Sequence, residues 1–506
     1  MRLLRHTARF QIILSLTLTA YAAGEQGANA NSQSAAPASS EIAEGVSDRE
    51  ISLAVENELL SSDAVSSHKI DVTSNEGIVT LSGKVDSLLA QQAADRIAQR
   101  VKGVISVVNR IVIIAGDRKD AEIAEDVLQA WSADSATESG ELRVEVVNGT
   151  GKLAGKVDSP VERILAEQIA EGVRGIVAVE NNIEVVETDE RANEEIQSDL
   201  QRLIDSDAIL SDSDVQVAVE DEQVLLTGKV PTSFAKTRAT ELAQRSGVQN
   251  IDARGLLVDY ERYDGTRRRR RLEELTDEQL VEAVRLALRY DPRVLSYLDT
   301  IEVESDGGSI TLSGAVGRLR AKQAAEETAR GTLGVWRVRN NLKVRWSESD
   351  PPAHEIVDFV QAALLRDPYV SRHEIRVHCR NGHVSLYGLV DSDFEKKTAG
   401  WIAGGQKGVV HVNNYLSVPE DWVPRSDAEI KADIDEKLAR TFFDRSNEVD
   451  VTVEDGVAIL RGEVDTWRQW QWAMELAVEA GARRPHNLIK VRYHPRHGGS
   501  RIYVPE

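Results

Sequence analysis

Three histidines, His373, His378 and His383, crowd around the single cysteine of the chain, Cys379. Imidazoles and a thiol at this spacing are where a metal-binding or nucleophilic reading has to begin. The local pattern argues against both. Ile375, Val377 and Cys379 alternate on one face of a strand, so His378 belongs to the opposite face. Asn381-Gly382 is a two-residue hairpin turn, which sets His378 across from Ser385 and His383 near the tip. Two histidines can meet there, but no third ligand follows, so neither a metal nor another cofactor is expected. Cys379, facing inward, reads as a small buried hydrophobe. No Gly-x-Ser-x-Gly elbow and no Walker loop occurs, and carboxylate pairs do not recur at matching places. No catalytic residue is expected, and the chain reads as non-enzymatic.

A second kind of chemistry has better candidates. Arg267, Arg268, Arg269, Arg270 and Arg271 form one basic run, with Tyr260 and Tyr263 just before it. Trp467, Trp470 and Trp472 cluster further on. Aromatic rings beside cations suit an interfacial surface, where rings sit at headgroup depth and arginines meet phosphates. Spacings of three and five on a helix cannot aim all three tryptophans at one core, so at least one is expected at the surface.

The elements that must carry these residues are repeated. A short apolar segment ending in Gly-x-Val recurs at Gly83, Gly155, Gly228, Gly314, Gly388 and Gly462. About 20 residues later comes a second glycine, at Gly103, Gly175, Gly247, Gly334, Gly408 and Gly481. An asparagine then follows at Asn109, Asn181, Asn340, Asn413 and Asn487, with Ala253 in the third copy. Fixed-period self-similarity of this kind marks a repeat protein.

In the first copy Ile51, Val55 and Leu59 mark one helical face. Ile70 and Val72, then Val79, Leu81 and Val85, alternate around an Asn75-Glu76-Gly77 turn as a hairpin. Leu89, Ala93 and Ile97 mark a second helix, and residues 107–113 a third strand. The fold class is therefore α+β: tandem α-β-β-α-β units, each a small three-stranded mixed sheet with two helices on one face. By period two the first glycine shares the face of Leu81 and Val85, and it is expected to let a helix approach the sheet closely. The second glycine is expected to cap the second helix. The asparagine is expected as a turn or bulge residue entering the last strand.

This layout resembles the BON domain of bacterial envelope proteins. The family pattern stands here as residues 79–85 and 103–113, and again as residues 310–316 and 334–344. Ala253 in the third copy, and Ala482 and Pro485 in the sixth, depart from it. The resemblance places six copies at 47–114, 118–186, 191–258, 276–344, 352–418 and 426–492. It implies an envelope location and a role in binding phospholipid surfaces or envelope partners, in support of envelope integrity or stress tolerance.

The flanks and the charge complete the expectation. Residues 1–22 read as a secretory signal, with Arg2, Arg5 and Arg9, a short apolar run and Ala20-Tyr21-Ala22. Residues 23–46 read as a flexible leader, 259–275 as an arginine-rich linker and 493–506 as a C-terminal tail. The signal implies export, and the resemblance implies a periplasmic protein that can attach peripherally to a membrane. With 61 Lys+Arg against 83 Asp+Glu, the net charge of -22 disfavours nucleic acid as a partner. Residues 23–258 hold 21 bases and 42 acids, and residues 259–506 hold 37 and 41. The first three copies are expected to act as an acidic rod or arc, and the last three with the linker to meet anionic phospholipid or an envelope protein. A periplasmic chaperone that holds unfolded clients is the alternative.

Overall fold

The computed structural model describes residues 46–493 and 501–503, apart from 66–69, 115, 117, 135–136, 138–140, 187–190, 221–222, 249, 260–270, 273–274, 346–350, 372, 420–424, 441–448 and 483–484. Within the first repeat, α1 (Asp48–Ser61) starts behind a capping box of Ser47 and Glu50 and buries Ile51, Val55 and Leu59. β1 (Ile70–Asn75) and β2 (Ile78–Val85) pair antiparallel, with Val72 opposite Leu81. α2 (Leu88–Arg100) returns the chain, so β3 (Ser106–Ile113) joins β2 in parallel, with Leu81 opposite Asn109. The strand order is β1-β2-β3, and the order of elements recurs over 120–185, 193–258, 277–344, 353–417 and 427–493. The sixth sheet gains a fourth strand, Arg501–Tyr503, antiparallel to the end of His486–Tyr493.

Each core lies between its sheet and its helices. In the first repeat Val79, Leu81 and Val85 meet Ile51, Val55 and Leu59 from α1 and Ala90, Ala94 and Ala98 from α2. Small alanines bring the second helix close to the sheet, which is the task expected of the first glycine. The glycine answers a different demand. Gly228 has φ +113°, and a Cβ there would stand 1.8 Å from the carbonyl oxygen of Asp214 on the neighbouring strand. Gly155 and Gly314 meet the same obstacle from Glu141 and Thr300. The close neighbour is therefore the backbone beginning the hairpin, not a helix. In the sixth repeat the second glycine does cap its helix: Gly481, φ +87°, follows the C-cap Ala480, its amide bonds the Val478 carbonyl and the Ala482 amide bonds that of Ala477. In the first repeat it follows the helix by a few residues, and in Gly103 a Cβ would meet the Ile51 side chain at 2.9 Å. It makes room for the first helix.

The asparagine bridges layers. Asn109 donates to the carbonyl of Gln91 in α2, and its side-chain oxygen accepts from the amide of Ile111. Asn181, Asn340 and Asn487 repeat both bonds. In the fifth repeat this is done by Asn414, bonded to Lys396 and Leu416, and not by Asn413, which faces Ser385 on the other side. In the third repeat the last strand carries a bulge, with Ala253 and Arg254 both opposite Leu226, between the pairs Leu225–Asp252 and Thr227–Gly255.

A single carboxylate, as distinct from a carboxylate pair, recurs at matching places. Asp48, Asp120, Asp277 and Asp427 each begin a first helix and accept amide hydrogen bonds from the hairpin turn of their own repeat. These turns carry positive φ at both central residues, as in Asn148-Gly149 and Asp455-Gly456. The role is structural.

The repeats join through their helices. The first helices of repeats three and four, Asn193–Ser206 and Asp277–Arg289, pack together. Tyr290 and Leu286 of repeat four enter the core of repeat three. α2 packs on Ser233–Gln244 of repeat three. Lys437 of repeat six reaches Glu58 and Ser61 of repeat one, and Arg318 of repeat four donates to the carbonyl of Ala133 in repeat two. Repeats of both halves thus interleave, so the first three copies do not stand apart from the last three as the expected acidic rod or arc would. Burial of apolar and hydrogen-bonded helix faces outweighs a repulsion that salt screens over about 8–10 Å.

Candidate functional site: an aromatic cleft between repeats four, five and six

Three second helices converge on a cleft of about 470 Å³: Leu319–Arg330, Asp393–Gly404 and Trp467–Glu479. The last begins behind a capping box of Thr466 and Gln469, which fixes the first turn and with it Trp467 and Trp470. Their rings stack at 4.6 Å between centroids, 16° from parallel. The Arg330 guanidinium lies 4.6 Å over the Trp467 ring, and that of Arg320 lies 4.5 Å over Trp401. Trp401 is 46% exposed. Arg468 and the Arg330 partner Glu326 also line the cleft.

Three of the unmatched buried polar atoms among the described residues lie at or beside the cleft, two on its lining residues Trp470 and Arg330 and one on Arg320, against Trp401. Trp470 Nε1, Arg330 Nε and Arg320 Nε are buried N–H groups that make no hydrogen bond within the protein. A buried donor left without an acceptor costs about 1–3 kcal/mol, and such groups cluster where something else is bound. Burial lowers the Arg320 pKa, its effect only partly offset by Asp134. The cleft therefore offers flat rings, cationic edges and unmatched donors, which fit a ligand with an apolar part and acceptor oxygens.

Trp467 and Trp470 stand together at this cleft, whereas Trp472 leaves it. Its ring meets Phe234 of repeat three edge-on at 6.5 Å, with Arg100 of repeat one 5.8 Å from its centroid. It bounds a separate cavity of about 460 Å³ between repeats one, five and six. Arg271 is tied down: it bonds the Asp205 carboxylate at 2.8 Å and the Ser211 carbonyl at 3.2 Å. Arg267, Arg268, Arg269 and Arg270 lie outside the described residues. Sequence reasoning missed Trp401, Arg320 and Arg330. The visible signal was Trp401 itself, a large ring on a helix whose buried face is made of Ala399 and Ala403.

The histidines separate. His378 pairs with Ser385 on the open face, as the alternation requires, and His383 meets His411 of the third strand at 5.6 Å. Tyr387 and Tyr415 stack beside them at 5.2 Å. His373 lies elsewhere, 3.0 Å from Glu395. Cys379 is half-buried against the core, and burial pushes its thiol pKa up.

The fold and cleft define a class: a tandem array of small α+β domains whose helices are shared between neighbours. The BON domain family matches residues 47–115, 119–187, 192–257, 276–345, 354–420 and 426–493, and the chain belongs to that family. It is 27% identical over 183 residues to the osmotically-inducible protein Y of Escherichia coli (strain K12), across 34% of this chain and 91% of that one. A C-terminal domain of CdsD, the structural protein of the type III secretion system of Chlamydia trachomatis, is similar over 42% of this chain and 98% of its own. Its identity is 13% and its TM-score 0.12. A second structure of CdsD matches at 16% identity with the same TM-score. Among the described residues no helix is long and apolar enough to cross a membrane.

Proposed function

We propose that this is a non-enzymatic, exported protein of the cell envelope that binds anionic phospholipid headgroups through the cleft of Trp401, Trp467 and Trp470. The family and its osmotically-inducible relative support an envelope role connected with stress. The observation that carries the lipid reading is the set of buried, unmatched donors, Trp470 Nε1, Arg330 Nε and Arg320 Nε, beside stacked rings. Phosphate and ester oxygens would satisfy those donors while glycerol and acyl carbons cover the rings. Arg267 to Arg270 would add about 1 kcal/mol each near an anionic surface.

Because the repeats of the two halves interleave, the test uses the full chain. Co-sedimentation with vesicles containing phosphatidylglycerol, against vesicles of phosphatidylcholine alone, should show binding only to the former. Trp401→Ala, at a half-exposed ring outside the cores, should weaken it at least several-fold. Binding to neither vesicle removes the lipid reading. Suppression of client aggregation with no lipid dependence would instead favour a holdase, using exposed apolar residues such as Ile78, Val108 and Val112 of the first sheet.

A further inference from the structure

The fifth repeat gathers a ligand set away from the cleft. His373 sits in the loop before the strand Arg376–Arg380, held by backbone bonds from its amide to Val370 and from Ile375 to its carbonyl. Glu395 lies in the first turn of Asp393–Gly404 behind the Ser392 cap, and Asp391 precedes that cap. The side chains of His373 and Glu395 are only 10% and 7% exposed. Ligand atoms of His373, Asp391 and Glu395 all lie within 4.8 Å of one another.

His373 Nε2 is the informative atom. It stands 3.0 Å from a Glu395 oxygen, yet it is buried without a hydrogen bond, because the angle at the pair does not make one. That Glu395 oxygen already accepts the Asp391 amide at 2.7 Å. Two metal bonds of about 2.0–2.2 Å meeting at a tetrahedral angle hold their ligand atoms about 3.3–3.6 Å apart, a few tenths of an ångström beyond the 3.0 Å seen here. The surroundings favour a cation. Asp63 of repeat one bonds Ser392, which stands between Asp391 and Asp393. Four carboxylates, Asp63, Asp391, Asp393 and Glu395, thus meet at the junction of repeats one and five.

We propose that His373 Nε2 with one carboxylate oxygen each from Glu395 and Asp391 binds a divalent transition cation of the zinc class, with water completing the shell. One imidazole and two carboxylates form a borderline set suited to such an ion, and no thiolate is required. Bound there, the cation braces the loop against the helix and relieves the repulsion with Asp63, so it stabilises the contact between repeats one and five.

The test is calorimetric titration of the chelator-treated full chain with zinc chloride, alongside the melting temperature. One site is expected, with a rise in melting temperature. His373→Ala should abolish that site, and Glu395→Gln and Asp391→Asn should each weaken it at least about ten-fold. Asp391 is exposed, and a glutamine at 395 keeps an acceptor for the Asp391 amide, so both variants should retain the fold, which the melting temperature without zinc checks. The double variant His383→Gln, His411→Gln should leave the site intact. Absence of zinc binding, binding unchanged in Asp391→Asn and Glu395→Gln, or binding lost only with His383 and His411 overturns the proposal.

Discussion

The hydroxyl of Tyr290, in repeat four, donates to the carboxylate of Asp199, in repeat three, at 3.2 Å. Asp199 is buried and also takes bonds from Arg191 and Arg202, while Arg191 donates to the Tyr290 oxygen at 2.8 Å. The junction of the halves is therefore a packed core with a closed polar network, so the residues before and after the arginine run should unfold together.

Tyr290→Phe removes the hydroxyl and should cost about 1–2 kcal/mol. Tyr290→Ala also opens a cavity in the core of repeat three and should cost about 3–5 kcal/mol. Urea unfolding measures both. A single transition shifted to lower denaturant is expected, and a separate early transition of repeats four to six would contradict the shared core.

Gly228→Ala should be among the most damaging single changes, at more than about 4 kcal/mol, because both φ and the Asp214 carbonyl exclude a Cβ. Gly172→Ala is its control. That glycine ends a helix at φ −73°, and its Cβ would find ordinary contacts at 3.5 Å. The change should be neutral or stabilise by about 0.4–1 kcal/mol.

Asp277 accepts from Ser305, Gly307 and Gly308. Burial alone would raise its pKa, but these bonds outweigh it and hold the carboxyl below 3.8. A lowered folded pKa stabilises above the unfolded value and is lost as pH falls through the folded one. Asp277→Ala should therefore cost about 1–2 kcal/mol at pH 7. The difference from the parent should shrink as pH drops below about 4. Denaturant midpoints across pH check this.

Glu171 and Glu479 go the other way. Burial, reinforced by Glu167, pushes Glu171 up to about 7 where Gln92 of repeat one bonds it. Burial likewise takes Glu479 to about 7, with Lys437 opposing and Glu58 adding. A carboxyl whose folded pKa is raised contributes stability at low pH that is lost as pH rises through about 7. The melting temperature should fall as pH rises from about 4.5 to about 7 and level off above that. Glu171→Gln, which keeps an acceptor for Gln92, should flatten that slope, and a slope unchanged by it would contradict the assignment.

The repeat itself was legible because its signals are local. Period-two alternation, the four-residue spacing of Ile51, Val55 and Leu59 and the turn at Glu76-Gly77 each act within a dozen residues. Positions were harder than elements. Asn413 and Asn414 are adjacent and alternate faces, so only the register, which sets Asn414 opposite Leu386, selects the one beneath the helix. The repeated Asp48, Asp120, Asp277 and Asp427 escaped notice because carboxylates are common in this chain and their partners lie some 28 residues away.

Sequence alone thus determined six α-β-β-α-β units and the family, since hydrophobic period and glycine placement are written residue by residue. It also marked Trp467 and Trp470, though not their partners. Tertiary structure decided which helices meet, and with them the cleft of Trp401 and Arg330, the departure of Trp472, and the meeting of His373 with Glu395. Contacts between units depend on how helix faces about eighty residues or more apart fit together. No local spacing carries that information, and net charge, which suggested an acidic rod, is a weaker term than the burial that joins the halves.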